Sequence, residues 1–316
     1  GELNGSHTGS RYYYRSNENS ACLGALFDLD YTGDGLLIKE ILKGGVLYSQ
    51  APDIQPGDII EAVDGVKIVA GKDYFHALRM KAGKKVTLTV KGKGKKPHNV
   101  IVKTDYSDES GLYDRWVEQR AEMVRKLSGG KIGYVHVQGM DSDSYRKVFS
   151  DLLGKYRSCE AVIVDTRHNG GGWLHDDLAT LLSGKAYARF EPRGQYIGSD
   201  PWNKWNKPSC VIVGEDNYSD ASGFPYIYKT LGIGKLIGAP VAGTMTAVWW
   251  ERQIDPTLVF GIPQVGVIGI KDGRYLENLE IEPDILVYND PASVLRGEDR
   301  QLETAVKEML KEIEKL

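Results

Sequence analysis

The chain has 316 residues, 41% hydrophobic and 26% charged. That is about twice the usual single-domain length and close to ordinary globular composition, which excludes a disordered, collagenous or disulfide-stapled chain. Forty Lys and Arg face 43 Asp and Glu, for a net charge of -3, so no uniform field exists to attract nucleic acid or anionic lipid. Residues 1–20 are rich in Gly, Ser, Asn and Tyr and too short to stand alone, so this strip is expected to dock on another part of the chain. From Ala21 the pattern turns to short strands: LGALFDLD, LLIKEIL, DIIEAVDGVKI, VTLTV and NVIVKTD, with a helix over GKDYFHALRMKAG between the third and fourth. The basic run KGKGKK, Lys91 to Lys96, reads as a solvated hairpin tip, and His76 as a solvated or structural histidine.

A polar stretch at 106–111 suggests a boundary near residue 106, followed by a helix carrying Leu112, Trp116, Met123, Val124 and Leu127. Strands and helices then alternate: KIGYVHVQ, a helix over Tyr145 to Leu153, AVIVD, a helix from about Leu174, CVIVG, a helix after Ser219, and KLIG. This order predicts an α/β layer with a parallel sheet, whose unbroken apolar runs mark strands covered on both faces. Leu302, Ala305, Val306, Met309, Leu310 and Ile313 predict a closing amphipathic helix. Cys22, Cys159 and Cys210 are far apart and form no metal-ligand spacing; Cys159 and Cys210 read as buried free thiols. No apolar run approaches the roughly 18 residues of a membrane span. The chain starts at Gly1 without Met or a signal-peptide pattern, which leaves open both a longer parent or removed targeting segment and the compartment.

Ligands in α/β sheets gather beyond the carboxyl ends of the strands, which directs attention to two loops. In Asp165-Thr166-Arg167-His168-Asn169-Gly170-Gly171-Gly172 the glycines let backbone N–H groups approach a ligand, although neither nucleotide-binding glycine motif is present. In the second, Gly214 to Gly223, Ser219 stands at a strand-to-helix turn, where its hydroxyl and the following N–H groups could act together. Ser219 or Asp220 acting only as a helix cap is the alternative. A serine nucleophile needs a base. Spacing does not choose among His7, His136, His168 and His175.

Taken in order, NGSHTG, GDGLLIKEIL, PDIQPGDIIEAVDGV, RHNGGG, NYSDAS, ENLEIEPDI and GEDRQLETAV resemble the C-terminal half of the tricorn proteases over essentially the whole chain. These belong with the C-terminal processing (tail-specific) serine peptidases. The resemblance implies a ClpP/crotonase-like superhelical α/β peptidase core with an inserted β-rich PDZ-like domain: a strip at 1–20 supplying the base, the PDZ-like module at 21–105 and the peptidase at 106–316. It further implies a Ser-His-Ser-Glu tetrad with Ser219 as nucleophile, His7 as general base, Ser6 as second serine and Glu277 acting through it, with Glu280 and Glu282 close by as other carboxylates. Backbone N–H groups of Asp220 and Gly172 would form the oxyanion hole. The related Ser-Lys enzymes carry a lysine where GAPVAGTMTA has Thr244, so the Ser-Lys reading loses.

By the same resemblance no metal or organic cofactor is needed, and the partner is a peptide or unfolded polypeptide, with no nucleic acid and no membrane insertion. A homo-oligomer is expected of the full-length protein; the tricorn proteases carry β-propeller domains ahead of this region and none is present in these 316 residues, so the chain reads as a fragment of a larger tricorn-like protein. The family is cytoplasmic; a periplasmic location would require a removed signal peptide. Gly35, Leu36, Leu37 and Ile38 match the peptide-binding strand start of a PDZ domain. Glu191 is a weak candidate for an acidic specificity residue. Two rivals are a PDZ-like scaffold with a silent peptidase site, and a binder of apolar molecules for which Trp249-Trp250 would speak, a pair that otherwise reads as core or interface.

Overall fold

A computed structural model describes residues 6–13 and 19–315. They form two compact units, one of residues 1–13 and 119–316, the other of 14–118. The division falls inside the helix Glu109–Leu127. The first half of that helix is tied to the β-rich unit, where Arg115 Nε donates to Glu40 at 2.6 Å and Lys43 pairs with Glu118 at 2.9 Å. The opening strip is likewise shared: residues 6–13 pack with the α/β unit, while Asn19 accepts from the Met80 N–H at 2.9 Å in the other.

In the β-rich unit, Ala25–Phe27, Leu36–Ile41, Ile59–Val63, Lys85–Lys91 and His98–Lys103 follow one another in an antiparallel sheet. Alternation does the sorting: Val86, Leu88 and Val90 point into the core with Ile38, Leu47 and Ile60, while Thr87 and Thr89 between them are half-buried and Lys85 and Lys91 at the strand ends are exposed. Residues 92–97 join the last two strands as the basic hairpin tip. The expected helix around Tyr74 is a single turn, Phe75–Leu78. The strand Leu36–Ile41 has a neighbour on each side. Gly35 already donates its N–H to Ile68 O at 3.0 Å and Ile38 to Asp58 O at 2.9 Å, so a peptide adding a strand at Gly35–Ile38 would have to displace these bonds.

The second unit holds a five-stranded parallel sheet in the order Ile285–Leu286, Lys235–Gly238, Ser209–Val213, Ala161–Asp165, Ile132–His136. The last three strands are buried at every position, as their unbroken apolar runs require. The helix Arg300–Ile313 packs along the central strands through Leu302, Ala305, Val306 and Met309, while His175–Leu182 and Asp220–Thr230 pack against each other. Cys210 is buried as expected; Cys159 is half-buried, and no cysteine is disulfide-bonded.

A three-stranded antiparallel sheet, Gly9–Tyr12, Leu258–Gly266 and Thr246–Arg252, has no counterpart in the sequence reading. It gives the opening strip its docking surface. Its alternation is broken by the adjacent Trp249-Trp250, by Gly261 and by Pro263, and a bulge lies between Ala247 and Val248. Trp249 is 62% exposed, so it is not a core residue.

Buried charge fixes the base of the glycine-rich loop. Arg167 sits between Asp165, with Nη2–Oδ2 at 2.6 Å, and Asp299, with Nη1–Oδ1 at 3.0 Å, and all three are buried. Burial pushes the Asp165 carboxyl up, but the Arg167 guanidinium outweighs it and holds the group below its usual range. Replacing Arg167 with Met strands two buried carboxylates. The expected loss is about 3–5 kcal/mol in denaturant unfolding, and a loss below about 1 kcal/mol would show that this network does not hold the loop.

Candidate active site

The two strand-end loops are bound to each other as well as to the sheet. Asn169 donates through Nδ2 to Val137 O at 2.8 Å and accepts the Gly171 N–H at 2.9 Å. Asn217 donates to Thr166 Oγ1 at 2.8 Å and accepts the Gly214 N–H at 3.2 Å. The Tyr218 N–H then donates to Asn169 O at 3.0 Å, joining the loops edge to edge. Glycine is obligatory at this approach: a Cβ on Gly171 would lie 2.5 Å from Ser219 Cβ, and one on Gly172, whose φ is +142°, would lie 2.1 Å from Met140 O.

Ser219 has φ 55° and ψ -125°, a left-handed conformation unusual for a residue with a Cβ. Its N–H donates to Thr244 Oγ1 at 2.8 Å, and its side chain makes no capping bond to the helix Asp220–Thr230. Capping falls to Asp220, and on a different helix: its carboxylate accepts from Leu174 N at 2.6 Å, from His175 N at 3.0 Å and from the His175 ring. That bond raises the His175 pKa. The backbone N–H groups of Gly172 and Asp220 have no acceptor among the described residues.

Ser6 and His7 come from the far end of the chain. The Ser6 N–H donates to Glu277 Oε1 at 2.5 Å, and Tyr218 OH donates to Ser6 O at 2.8 Å. His7 is 4% exposed, its ring centroid 4.7 Å from that of Tyr218. Two hydroxyls meet its Nδ1: Ser6 Oγ at 3.0 Å and Thr246 Oγ1 at 3.2 Å. Burial lowers the His7 pKa; Glu277 opposes that and Arg11 adds to it. Glu277 Oε2 is buried without a hydrogen-bond partner among the described residues. Glu277 therefore meets Ser6 at the main chain, where the resemblance implied an action through the second serine.

His7 and Ser219 line one cavity of about 410 Å³, together with Gly172, Asp220, Arg11 and a wall that includes Met245, Val248 and Trp250. The other candidate histidines are engaged elsewhere. His136 Nε2 meets Arg167 O at 2.8 Å, His168 Nδ1 meets Asp216 at 2.6 Å, and His175 meets Asp220. No lysine lines the cavity. Thr244 is buried at the position considered for one, bonded to Ser219 N and to Ser222 Oγ at 3.0 Å. Glu191 sits apart from the cavity and pairs with Arg189 at 3.3 Å. No His, Cys, Asp and Glu cluster able to hold a metal occurs among the described residues. A second cavity of about 440 Å³, lined by Tyr196, Trp202, Lys204 and Lys207, contains no histidine to act as a base. Sequence reasoning missed Thr246, Tyr218 and Arg11; only Tyr218, adjacent to Ser219, carried a positional hint.

Comparison with known proteins agrees with this architecture. Residues 131–287 match the peptidase family S41 and residues 22–105 the tricorn protease PDZ domain. The chain is 26% identical to tricorn protease of Thermoplasma acidophilum over 99% of its length and 30% of that protein's, and 30% identical to tricorn protease homolog 1 of Streptomyces coelicolor over 82% of its length and 25% of that protein's. It thus spans about a third of the length of the curated relatives it matches. The crystal structure of the tricorn protease superposes with a TM-score of 0.86 at 25% identity, covering 98% of this chain and 31% of that one. Mature CPAF shares the fold alone, with a TM-score of 0.50 at 14% identity, over 99% of this chain and 86% of that one. With an S41 peptidase domain at 131–287, a tricorn-type PDZ domain at 22–105 and a likeness over 98% of this chain to about a third of the tricorn protease, the chain belongs to the tricorn-like serine peptidases of family S41.

Proposed function

We propose that this chain hydrolyses peptide bonds through an acyl-enzyme, with Ser219 as nucleophile, His7 as general base, and Ser6 and Glu277 as the groups that position and support His7. The observation carrying this reading is that a strained serine at a strand-to-helix turn shares one cavity with a buried histidine whose Nδ1 is already engaged by hydroxyls. With the proton on Nδ1 donated to one of those hydroxyls, Nε2 is left to accept the Ser219 proton. As Ser219 Oγ bonds to the substrate carbonyl carbon, the N–H groups of Gly172 and Asp220 receive the developing oxyanion. His7 then protonates the departing amine, and a water deprotonated by the same imidazole releases the acyl group. The Glu277 carboxylate, one oxygen on the Ser6 N–H and the other without a partner among the described residues, supplies negative charge as the imidazolium forms.

Peptides or unfolded polypeptides are the substrates proposed, and self-assembly of the full-length protein is carried over from the family resemblance. The scaffold rival has less support, because the Gly35 and Ile38 N–H groups are already bonded within the sheet. No described helix is long and apolar enough to cross a membrane.

Ser219→Ala is expected to lower peptidase kcat/KM by at least about 10⁴-fold and to abolish labelling by a serine-directed phosphonate. Undiminished labelling would exclude Ser219 as the nucleophile. A second expectation concerns pH. His7 must be neutral to act as a base, and burial places its pKa below the ordinary 6.5. Activity should therefore rise with pH through a midpoint below that value and stay flat above it. Glu277 raises the His7 pKa, so Glu277→Gln should move the midpoint lower still. Ring NMR that shows His7 titrating above 6.5 would contradict this environment.

A further inference from the structure

Away from His7, Tyr218, Ser219, Asp220 and Thr246, the described side chains that line the cavity are apolar except at one place. Arg11 is the one arginine or lysine among the described lining residues, and the sole acidic residue among them, Asp220, has its carboxylate committed to Leu174 and His175. Arg11 itself donates to no protein acceptor among the described residues. Its guanidinium lies 4.1 Å from the centroid of the Trp250 ring.

The sheet builds this arrangement. Gly9–Tyr12 pairs with Leu258–Gly261, and Gly261 stands opposite both Gly9 and Trp250. Because side chains alternate along a strand, Arg11 shares the face of Gly9, and therefore of Gly261 and Trp250. A Cβ on Gly261 would lie 2.7 Å from the Trp250 ring, so glycine is what allows the indole to lie across the middle strand toward Arg11. The indole face holds the cation while leaving the in-plane N–H groups of the guanidinium free, and those groups match a carboxylate in bidentate geometry.

We infer that Arg11 is a specificity residue that binds a carboxylate of the peptide lying in the Ser219 cavity. This rests on the peptidase reading above and extends it to substrate class: peptides with an acidic group near the scissile bond over neutral ones. The carboxylate has two sources, an Asp or Glu side chain or the free C-terminus of a short peptide, and the Arg11 chemistry is the same for both.

The test uses the 316-residue chain and matched fluorogenic peptides. One set exchanges Glu for Gln at each position flanking the cut, and the other compares a free C-terminal acid with its amide. The wild-type chain should favour the acidic member of at least one set by about ten-fold in kcat/KM, the lower end for a bond to a charged group because Arg11 is exposed. Which set shows the preference identifies the source. Arg11→Met keeps the apolar stem and should erase the preference, read as the ratio of acidic to neutral kcat/KM at a pH above 7 so that its effect on His7 cancels; Arg11→Lys should retain part of it. Arg252→Met removes the same charge from a residue that does not line the cavity and should keep the preference. Equal turnover of acidic and neutral peptides by the wild type overturns the inference and leaves the peptidase reading standing. So does an Arg11→Met chain that loses activity equally on both. Fluorescence anisotropy with Ser219→Ala separates the remaining case: acid-selective binding that Arg11→Met removes, with no hydrolysis by the wild type, sustains the carboxylate site and overturns the peptidase reading. Absence of both binding and hydrolysis overturns both.

Discussion

A serine hydroxyl is almost fully protonated at neutral pH, and Ser219 has no histidine on its own loop, so the proposed mechanism depends on holding a segment from the opposite end of the chain. The Ser6 to Glu277 bond spans 271 residues, the Tyr218 to Ser6 bond 212, and the Thr246 to His7 contact 239. Ordering each residue costs about 1–2 kcal/mol, more than the roughly 1 kcal/mol net of a single hydrogen bond. The strip is therefore held by a set of contacts acting together: four paired residues with Leu258–Gly261, a buried imidazole against Tyr218, and the Glu277 anchor. In the proposed mechanism, weakening any of them acts on the base without touching the nucleophile.

The Ser219 side is rigid for a different reason. Ser219 occupies a strained backbone conformation that the surrounding bonds of Asn169, Asn217 and Thr244 over-determine. Gly171 and Gly172 let the neighbouring loop close to within contact of it, and Arg167, wedged between Asp165 and Asp299, anchors that loop to the final helix. Strain in the serine, absence of a side chain in the glycines and buried charge below them are parts of one construction.

Much of the fold was legible because its signals are local. Unbroken apolar runs such as 161–164 and 210–213 are what fully covered parallel strands require, and the 3 and 4 spacing from Leu302 to Ile313 specifies one helix face. The strand-end loops stood out for the same reason. The three-stranded sheet that receives the opening strip was not legible, since bulges, Gly261, Pro263 and adjacent tryptophans erase the period on which strand reading relies. His7 could be singled out only through family resemblance: no local pattern encodes a partner more than 200 residues away. Arg11, Tyr218 and Thr246 escaped notice because their roles arise from that docking, and Glu277 turned out to meet the main chain of Ser6.

Cooperation between the chain's two distant segments is the central claim, and a double-mutant cycle on kcat/KM measures it most directly. Groups that act as one unit are lost together. If His7 serves Ser219, the Ser219→Ala and His7→Ala chains should each fall to nearly the same residual rate, and the doubly substituted chain should fall no further. Independent losses that multiply in the double variant, or a His7→Ala chain retaining near-wild-type turnover, would contradict the account.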